Sequence, residues 1–151
     1  MSGRLECMTE NRAASLHAYF GYRDAVAALR WLEDAFGFET TMQYPDDKGG
    51  IMHAEIRRGD AAFTLFTDEE GYEKLPRKGD SVGHGLYIAL GSQAEVDEVY
   101  ATATKHGAES VWTPDNTEWG NYRCRVADPE GFEWTFGTHI PGQPAGDWAE
   151  E

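Results

Sequence analysis

Two histidines and two glutamates stand where they could take part in chemistry. Apolar residues flank His53 and Glu55 in strand-like alternation, which turns both polar side chains to one face of the predicted strand. His17 lies on the first predicted strand and Glu133 on the last. Imidazole and carboxylate groups can ligate a divalent metal ion, and either can act as a general base. The four residues are therefore candidates for a metal site or for proton transfer.

Two arginines on a further predicted strand complicate that interpretation. Arg123 and Arg125 alternate with apolar residues, so they share one face. Two guanidinium groups oppose a nearby cation. A polar network in which Glu55 and Glu133 pair with the two arginines is therefore favoured over a metal site, although both alternatives stay open at this point.

The elements that must position these residues occur twice. Gly37 ends a predicted helix in the first half, and Gly107 does so about 70 residues later. At that offset Phe20 falls on Leu90. Two copies of one unit usually pack about a pseudo-twofold axis, so a site between them would be built from matched positions.

The pattern predicts an α+β fold made of two tandem βαβββ modules. In the first module we expect strands at 16–22, 38–44, 51–57 and 61–67, with a helix that begins at the N-cap Asp24. In the second module we expect strands at 84–90, 109–113, 121–127 and 132–138. The modules span 15–67 and 84–138 of a single domain at 15–140, joined by a connector at 68–83. Segments 1–14 and 141–151 are expected to be loose tails.

Composition limits the classes of partner. The formal net charge of the 151 residues is -14, which argues against nucleic-acid binding and anionic membranes and would attract a cationic ligand. Two cysteines are too few for a disulfide framework. No stretch has the character of a signal peptide or a membrane span, so a cytoplasmic location is expected.

Several local motifs occur in an order typical of one family. They are Tyr22-Arg23-Asp24-Ala25-Val26, Met52-His53-Ala54-Glu55-Ile56 and, most specifically, Trp119-Gly120-Asn121-Tyr122-Arg123 followed by Asp128-Pro129-Glu130-Gly131-Phe132. Together with the paired βαβββ arrangement, they make residues 15–140 resemble the vicinal oxygen chelate superfamily. That group contains glyoxalases, extradiol dioxygenases and bleomycin-resistance proteins.

The resemblance implies a curved mixed sheet that forms a cup, with the helices outside. In metal-dependent members, four matched strand positions hold the ion, and they map here onto His17, Thr64, Tyr87 and Thr135. Only His17 is a good ligand, whereas tight binding needs about three or four N, O or S donors. We therefore expect no metal cofactor. The weaker alternative is a divalent metal at the displaced set His17, His53, Glu55 and Glu133.

The concave surface implied by this fold contains the candidate ligand-binding residues. They are His17, Tyr19, His53, Glu55, Thr64, Phe66, Tyr87, Trp119, Arg123, Glu133 and Thr135, with Arg125 on the same face as Arg123. Several of them are aromatic, and aromatic faces bind planar cations.

Two functions from different classes remain. The first is a non-catalytic small-molecule-binding protein of the bleomycin-resistance type, which sequesters an aromatic, cationic ligand in the cup without metal. The alternative is a lyase, isomerase or dioxygenase of the same superfamily, metal-dependent or metal-free, with a rearranged site. The resemblance also implies a homodimer, because members commonly complete their cups across paired chains.

Overall fold

The computed structural model describes residues 14–142, which contain the same unit twice. The first module consists of β1 (Tyr19–Tyr22), α1 (Ala25–Phe36), β2 (Glu39–Pro45), β3 (Ile51–Arg58) and β4 (Ala61–Thr67). The second consists of β5 (Leu86–Ala89), α2 (Gln93–Lys105), β6 (Glu109–Asn116), β7 (Tyr122–Ala127) and β8 (Glu133–Gly137). The predicted α+β class with two βαβββ modules is confirmed. The tails expected at 1–14 and 141–151 lie outside the described residues, except for 14, 141 and 142.

Each module forms its own open four-stranded sheet. The strand orders are β1-β4-β3-β2 and β5-β8-β7-β6. In both sheets the first strand pairs in parallel with the last, and the remaining pairs are antiparallel. The sheets are therefore mixed, and no strand of one module pairs with a strand of the other within the described chain.

Local sequence signals define the helix ends. The side chain of Asp24 accepts a hydrogen bond from the Ala27 backbone N–H at 3.0 Å, as predicted for an N-cap. Gly37 adopts the left-handed conformation with φ of 73°, which a glycine takes without steric cost. Ser92, which the sequence pattern did not single out, caps α2 by accepting from the Glu95 N–H. Neither helix of the described chain has the length and apolarity to cross a bilayer.

The two modules share one aromatic core on the helix side of the sheets. The ring of Phe36 on α1 lies 4.9 Å from that of Trp134 and 5.0 Å from that of Phe136, both on β8. Trp134 is fully buried and also contacts Phe63 of the first module at 5.2 Å. Burial of such large rings provides much of the hydrophobic stabilisation that joins the modules. The opposite face of each sheet is left available for other contacts.

The turn after β7 fastens the second module to the start of α1. Buried Asp128 accepts a hydrogen bond from the Tyr22 hydroxyl at 2.6 Å. The carboxylate of Glu130 accepts from the backbone N–H groups of Arg23 and Asp24, at 2.6 and 3.0 Å. A negative charge beside free N–H groups at a helix N-terminus is favourable. The Asp-Pro-Glu-Gly segment thus has a structural function between the modules.

Cys124 belongs to the core, as the alternation of β7 predicted. It is fully buried and makes no disulfide. Burial raises the pKa of the thiol to about 12, so the reactive thiolate is not accessible at neutral pH. This cysteine is a packing residue.

Candidate functional site

Both sheets carry the same two hydroxyl residues, one on the first strand of the module and one on the last. In the first sheet Tyr19 of β1 lies beside Thr64 of β4. In the second sheet Tyr87 of β5 lies beside Thr135 of β8. The alternating neighbours of these residues on β4 and β8 are buried in the shared core, so the four side chains lie on the faces turned away from the helices. We call these the first and second cup faces.

The third strand of each module distinguishes the two cup faces electrostatically. Beside Thr64 the first cup face carries Glu55 of β3. Beside Thr135 the second cup face carries Arg125 of β7. The internal repeat therefore preserves the hydroxyl pair but reverses the charge next to it.

Strand register corrects one matched position. Tyr87 lies 68 residues after its counterpart Tyr19, and the helix N-caps Asp24 and Ser92 are also 68 residues apart, whereas Gly37 and Gly107 after the helices are 70 apart. The second module therefore has two extra residues between the start of its helix and the glycine that follows the helix, and none between its first strand and its helix. The expectation that His17 is the partner of Tyr87 is wrong, and so is the match of Phe20 with Leu90. None of the four matched positions carries a histidine or a carboxylate.

The first cup face is open and aromatic. Its Tyr19 ring lies 6.3 Å from Phe66, and Tyr19 is 75% exposed. His53 Nε2 lies 2.7 Å from Glu55 Oε2, so these predicted site residues form a hydrogen-bonded pair. Tyr44 of β2 lies beside His53 in the register and is also exposed. Exposed rings next to a carboxylate form a surface that suits a planar cation.

A bulge explains the one error in the predicted alternation of β3. The register between β2 and β3 shifts so that Pro45 pairs with Ile51 and Tyr44 with His53, which leaves Met52 without a register partner. Met52 was expected to face the helices, but it is 67% exposed, and Ile51 takes the buried position instead. His53 and Glu55 keep the orientation that was predicted.

The second cup face contains a hollow of about 380 Å³. Five of the predicted ligand-binding residues line it: Tyr87, Trp119, Arg123, Glu133 and Thr135. The connector also contributes residues to its wall. This hollow brings together five of the predicted residues, whereas the hollow at the junction of the modules contains four.

An indole with two arginines forms the basic wall of this hollow. The guanidinium carbons of Arg123 and Arg125 each lie 3.7 Å from the centroid of the Trp112 ring. Arg125 donates to the Thr135 hydroxyl at 2.9 Å and to the Asp80 carbonyl at 2.7 Å. The Trp112 N–H donates to the Asp80 carboxylate at 3.0 Å. Desolvation lowers the pKa of Arg125, although an arginine remains charged.

Glu133 is buried at the edge of the same hollow. Its Oε1 accepts from the Ser81 hydroxyl at 3.3 Å and from the Val82 N–H at 3.1 Å. Its Oε2 is buried without a hydrogen-bond partner in residues 14–142. The predicted ion pairs of Glu55 and Glu133 with the two arginines are wrong, because Glu55 binds His53 on the other sheet and the connector holds Glu133.

Asn121 is a site residue that sequence reasoning missed. It is 1% exposed, and its side-chain oxygen accepts from the Tyr87 hydroxyl at 3.4 Å and from the His139 N–H at 3.0 Å. The Tyr87 hydroxyl also lies 2.6 Å from the His139 carbonyl, and desolvation raises the pKa of Tyr87. A Cβ at Gly137 would lie 2.5 Å from that hydroxyl, so the glycine makes room for it. The signal that could have identified Asn121 was its position in the Trp119–Arg123 motif.

A second hollow lies at the junction of the two modules. Its volume is about 750 Å³, and His17, Tyr19, Phe66 and Glu133 are among the residues that line it. His53, Glu55 and Thr64 line neither this hollow nor the one on the second cup face. The predicted site residues are thus divided between two surfaces of the chain.

The candidate metal ligands are distributed in the same way. His17 is exposed, and its ring nitrogens lie 2.6 Å from the Ser15 hydroxyl and 2.8 Å from the Ala62 carbonyl. His53 and Glu55 are together, but Glu133 belongs to the other sheet. In residues 14–142 no three His, Cys, Asp or Glu residues are close enough to hold a metal ion.

The fold agrees with known structures. TioX from Micromonospora sp. ML1 is 24% identical, with a TM-score of 0.64, over 87% of this chain and 100% of that one. SA1046 from S. aureus is 17% identical with a TM-score of 0.62 over 85% and 100%. Lactoylglutathione lyase from Agrobacterium tumefaciens is 22% identical with a TM-score of 0.59 over 84% and 94%. No curated protein shows significant similarity.

A family model defines the class more directly than these distant structures do. The model of the Glyoxalase/Bleomycin resistance protein/Dioxygenase superfamily matches residues 15–136. Since that span is most of the chain, the protein belongs to this superfamily. The resemblance inferred from the motifs is confirmed. Membership defines the scaffold, whereas the chemistry depends on the side chains of the cup faces.

Proposed function

We propose that the protein is a non-catalytic, metal-independent small-molecule-binding protein that sequesters an aromatic, cationic ligand. The observation that carries this proposal is the pair of matched positions, where tyrosine and threonine stand in both modules. Neutral hydroxyl and phenol groups are poor ligands for a divalent ion but are suited to hydrogen bonding with an organic molecule. A cytoplasmic location belongs to the same proposal, since the one described cysteine is a buried free thiol.

The first cup face would supply the aromatic contacts. Tyr19 and Phe66 present their rings beside the carboxylate of Glu55, which is half exposed. Each contact of a cation with an aromatic ring contributes roughly 0.5–2 kcal/mol, depending on how far the pair is desolvated. The carboxylate would orient the positive charge, and the net charge of -14 would attract it from a distance.

A homodimer would complete the cup. The modules of one chain meet through their helix sides, so the first cup face leaves Tyr19 and Tyr44 exposed. A sheet face with exposed large rings is typical of a surface that is covered by a partner or a ligand. We propose that the first cup face of one chain faces the second cup face of its partner.

The proposal is tested by calorimetry with ethidium, acriflavine and bleomycin. At least one of these aromatic cations should bind with a stoichiometry of one per chain. Tyr19→Ala and Tyr87→Ala should weaken binding about 2- to 30-fold, which corresponds to the loss of one aromatic contact. Tyr100→Ala, at a tyrosine of α2 that lines neither hollow, is the control and should leave the affinity unchanged. Absence of binding for all three compounds would contradict the proposed ligand class.

An enzymatic function is the second candidate, and one contact favours it. The carboxylate of Glu55 lies 2.7 Å from the imidazole of His53 on an open face, which is the arrangement of a general base with its orienting group. Elemental analysis of the purified protein separates the two functions. A stoichiometric metal that is lost in His17→Ala or His53→Ala would favour the metal-dependent enzyme over the binding protein.

A further inference from the structure

We infer that the hollow on the second cup face binds a carboxylate of an aromatic ligand, with Arg123 as the residue that recognises it. This inference rests on the proposed role in small-molecule binding and makes its ligand class more specific. The ligand would be dipolar: its cationic part would contact the first cup face of one chain, and its carboxylate would contact Arg123 of the other.

The first argument is the concentration of positive charge. The chain has 13 lysines and arginines against 27 acidic residues, yet two arginines point into one hollow of about 380 Å³. Like charges so close together repel each other, and neither arginine forms a salt bridge within residues 14–142, although the charges of Glu133 and Asp80 act on Arg125 from a distance. An anion in the hollow would relieve this repulsion.

The second argument is that the guanidinium donors of Arg123 are all free in the described part of the chain, whereas two donors of Arg125 are already used within the protein. Arg125 is held by the Thr135 hydroxyl and the Asp80 carbonyl. The side chain of Arg123 forms no hydrogen bond or salt bridge within residues 14–142, although a guanidinium carries five N–H donors. Asp115 is the register partner of Arg123 on β6, but it is exposed and makes no ion pair with it.

The third argument is preorganisation. Residues two apart on a strand are separated by about 7 Å, and an indole between them can contact both side chains. Arg123 and Arg125 lie at such positions, and each guanidinium carbon is 3.7 Å from the Trp112 ring centroid. Because Asp80 also binds the Trp112 N–H, the platform is tethered to the connector. Arg123 is therefore oriented before any ligand arrives, which lowers the entropic cost of binding.

The surroundings favour a carboxylate over a phosphate. Of the two guanidinium groups, only that of Arg123 has all of its donors free within the described residues, and the carboxylate of Glu133 lies at the edge of the same hollow. A planar monoanion matches the fork of a single guanidinium, whereas a dianion would need more positive charge. Tyr87 and Trp119 line the rest of the hollow and can contact the ring of the ligand.

Calorimetry with 2-naphthoate, its neutral amide 2-naphthamide and 2-naphthyl phosphate tests this inference. We expect 2-naphthoate to bind at least tenfold more tightly than the amide, and more tightly than the phosphate. Arg123→Gln should lower the affinity for 2-naphthoate at least tenfold, and Arg123→Lys should restore only part of it, because the planar fork is lost. Arg30→Gln, which removes the same charge from the exposed side of α1, should change nothing.

Each outcome is decisive. Equal binding of the acid and the amide, or an Arg123→Gln variant with unchanged affinity, would overturn the inference. Tighter binding of the naphthyl phosphate would overturn the assignment to a carboxylate. Thermal unfolding of each variant identifies a loss of affinity that is caused by misfolding. If 2-naphthoate binds through Arg123 while no aromatic cation binds, the carboxylate site is supported and the proposed cationic ligand is contradicted. If an aromatic cation binds while 2-naphthoate does not, only the carboxylate site is contradicted.

Discussion

At the scale of single residues, buried Asp128 shows how one side chain joins the two modules. It accepts hydrogen bonds from the Tyr22 hydroxyl and the Trp134 N–H, and from two backbone N–H groups of its own turn. Desolvation raises its pKa above the ordinary value, although these hydrogen bonds oppose the shift. The folded protein therefore binds a proton at this carboxyl more tightly than the unfolded chain does.

This shift predicts the sign of a pH dependence. Between the ordinary pKa of Asp128 and its raised native value, the folded state holds more protons at this site, so this group's contribution to the free energy of unfolding falls as pH rises. Asp128→Asn should cost about 1–3 kcal/mol through impaired hydrogen bonds. Because the variant has no such ionisation, its deficit should shrink as pH rises through that window. Urea unfolding of both proteins at a series of pH values measures the difference, and a deficit that grows with pH would contradict the prediction.

For single site residues, the sequence predicted the strand face but not the hydrogen-bond partners. The alternation of β3 correctly placed His53 and Glu55 on one face, because strand geometry is local. The partners of those residues were not predictable in the same way. Glu133 was expected to pair with an arginine, but it accepts from Val82, a residue 51 positions earlier in the chain. Such a contact depends on how the connector folds over the sheet.

At the scale of elements, the start of α1 is stabilised from the other module. Asp24 caps the helix from within, while the Glu130 carboxylate accepts from the two backbone N–H groups just before it. The strand–helix connection of one repeat is thus completed by the β7–β8 turn of the other. This contact gives the relative position of the modules a specific chemical basis.

The Glu130 contact leads to a prediction about stability. Glu130→Ala should lower the free energy of unfolding by about 1–2 kcal/mol, because two charge-assisted hydrogen bonds at a helix N-terminus are lost. Glu70→Ala, an exposed glutamate of the connector, serves as the matched control and should stay within about 0.5 kcal/mol of the parent. Chemical denaturation reports both values. Equal stability of the two variants would show that the contact does not fasten the modules.

Element boundaries were predicted well where they depend on neighbouring residues. The cap at Asp24, the glycine at Gly37 and the strand at 61–67 agree with the structure. The register between β1 and β4, which determines which residue of β1 faces the cup, was not predicted correctly. The two extra residues of the second module lie after the start of α2, so the offset of 70 between Gly37 and Gly107 does not apply to the first strands, and Tyr19 occupies the matched position instead of His17. The sequence shows that the two repeats differ in length, but where the extra residues fall relative to the strands appears only when the strands are paired.

At the scale of the whole molecule, the two cup faces differ in chemistry although they come from one repeat. The first face combines exposed rings with the His53–Glu55 pair, and the second carries the arginines on Trp112. The shared core lies on the helix side, so neither face is closed by the other module of the same chain. A dimer that pairs unlike faces would produce two identical sites with opposite charges on their walls.

Mixed dimers test this arrangement. Tyr19→Ala and Arg123→Gln should each weaken binding of a dipolar ligand such as 4-(aminomethyl)naphthalene-1-carboxylate. If each site takes Tyr19 from one chain and Arg123 from the other, co-refolding the two variants should restore one site of parental affinity in every heterodimer. Light scattering establishes the oligomeric state. A monomer, or a heterodimer without any restored site, would contradict a cup shared between chains.

The sequence by itself determined the repeat, the class of fold and the faces of most strands, because helix caps and strand alternation depend on residues close together in the chain. Only the tertiary structure decided that Tyr19 matches Tyr87, that Trp112 lies against Arg123 and Arg125, and that Glu133 is held by the connector. The physical reason is that these contacts join separate strands, and their geometry depends on register, loop length and the shared core. The charge contrast between the cup faces, on which the ligand class depends, arises at that level.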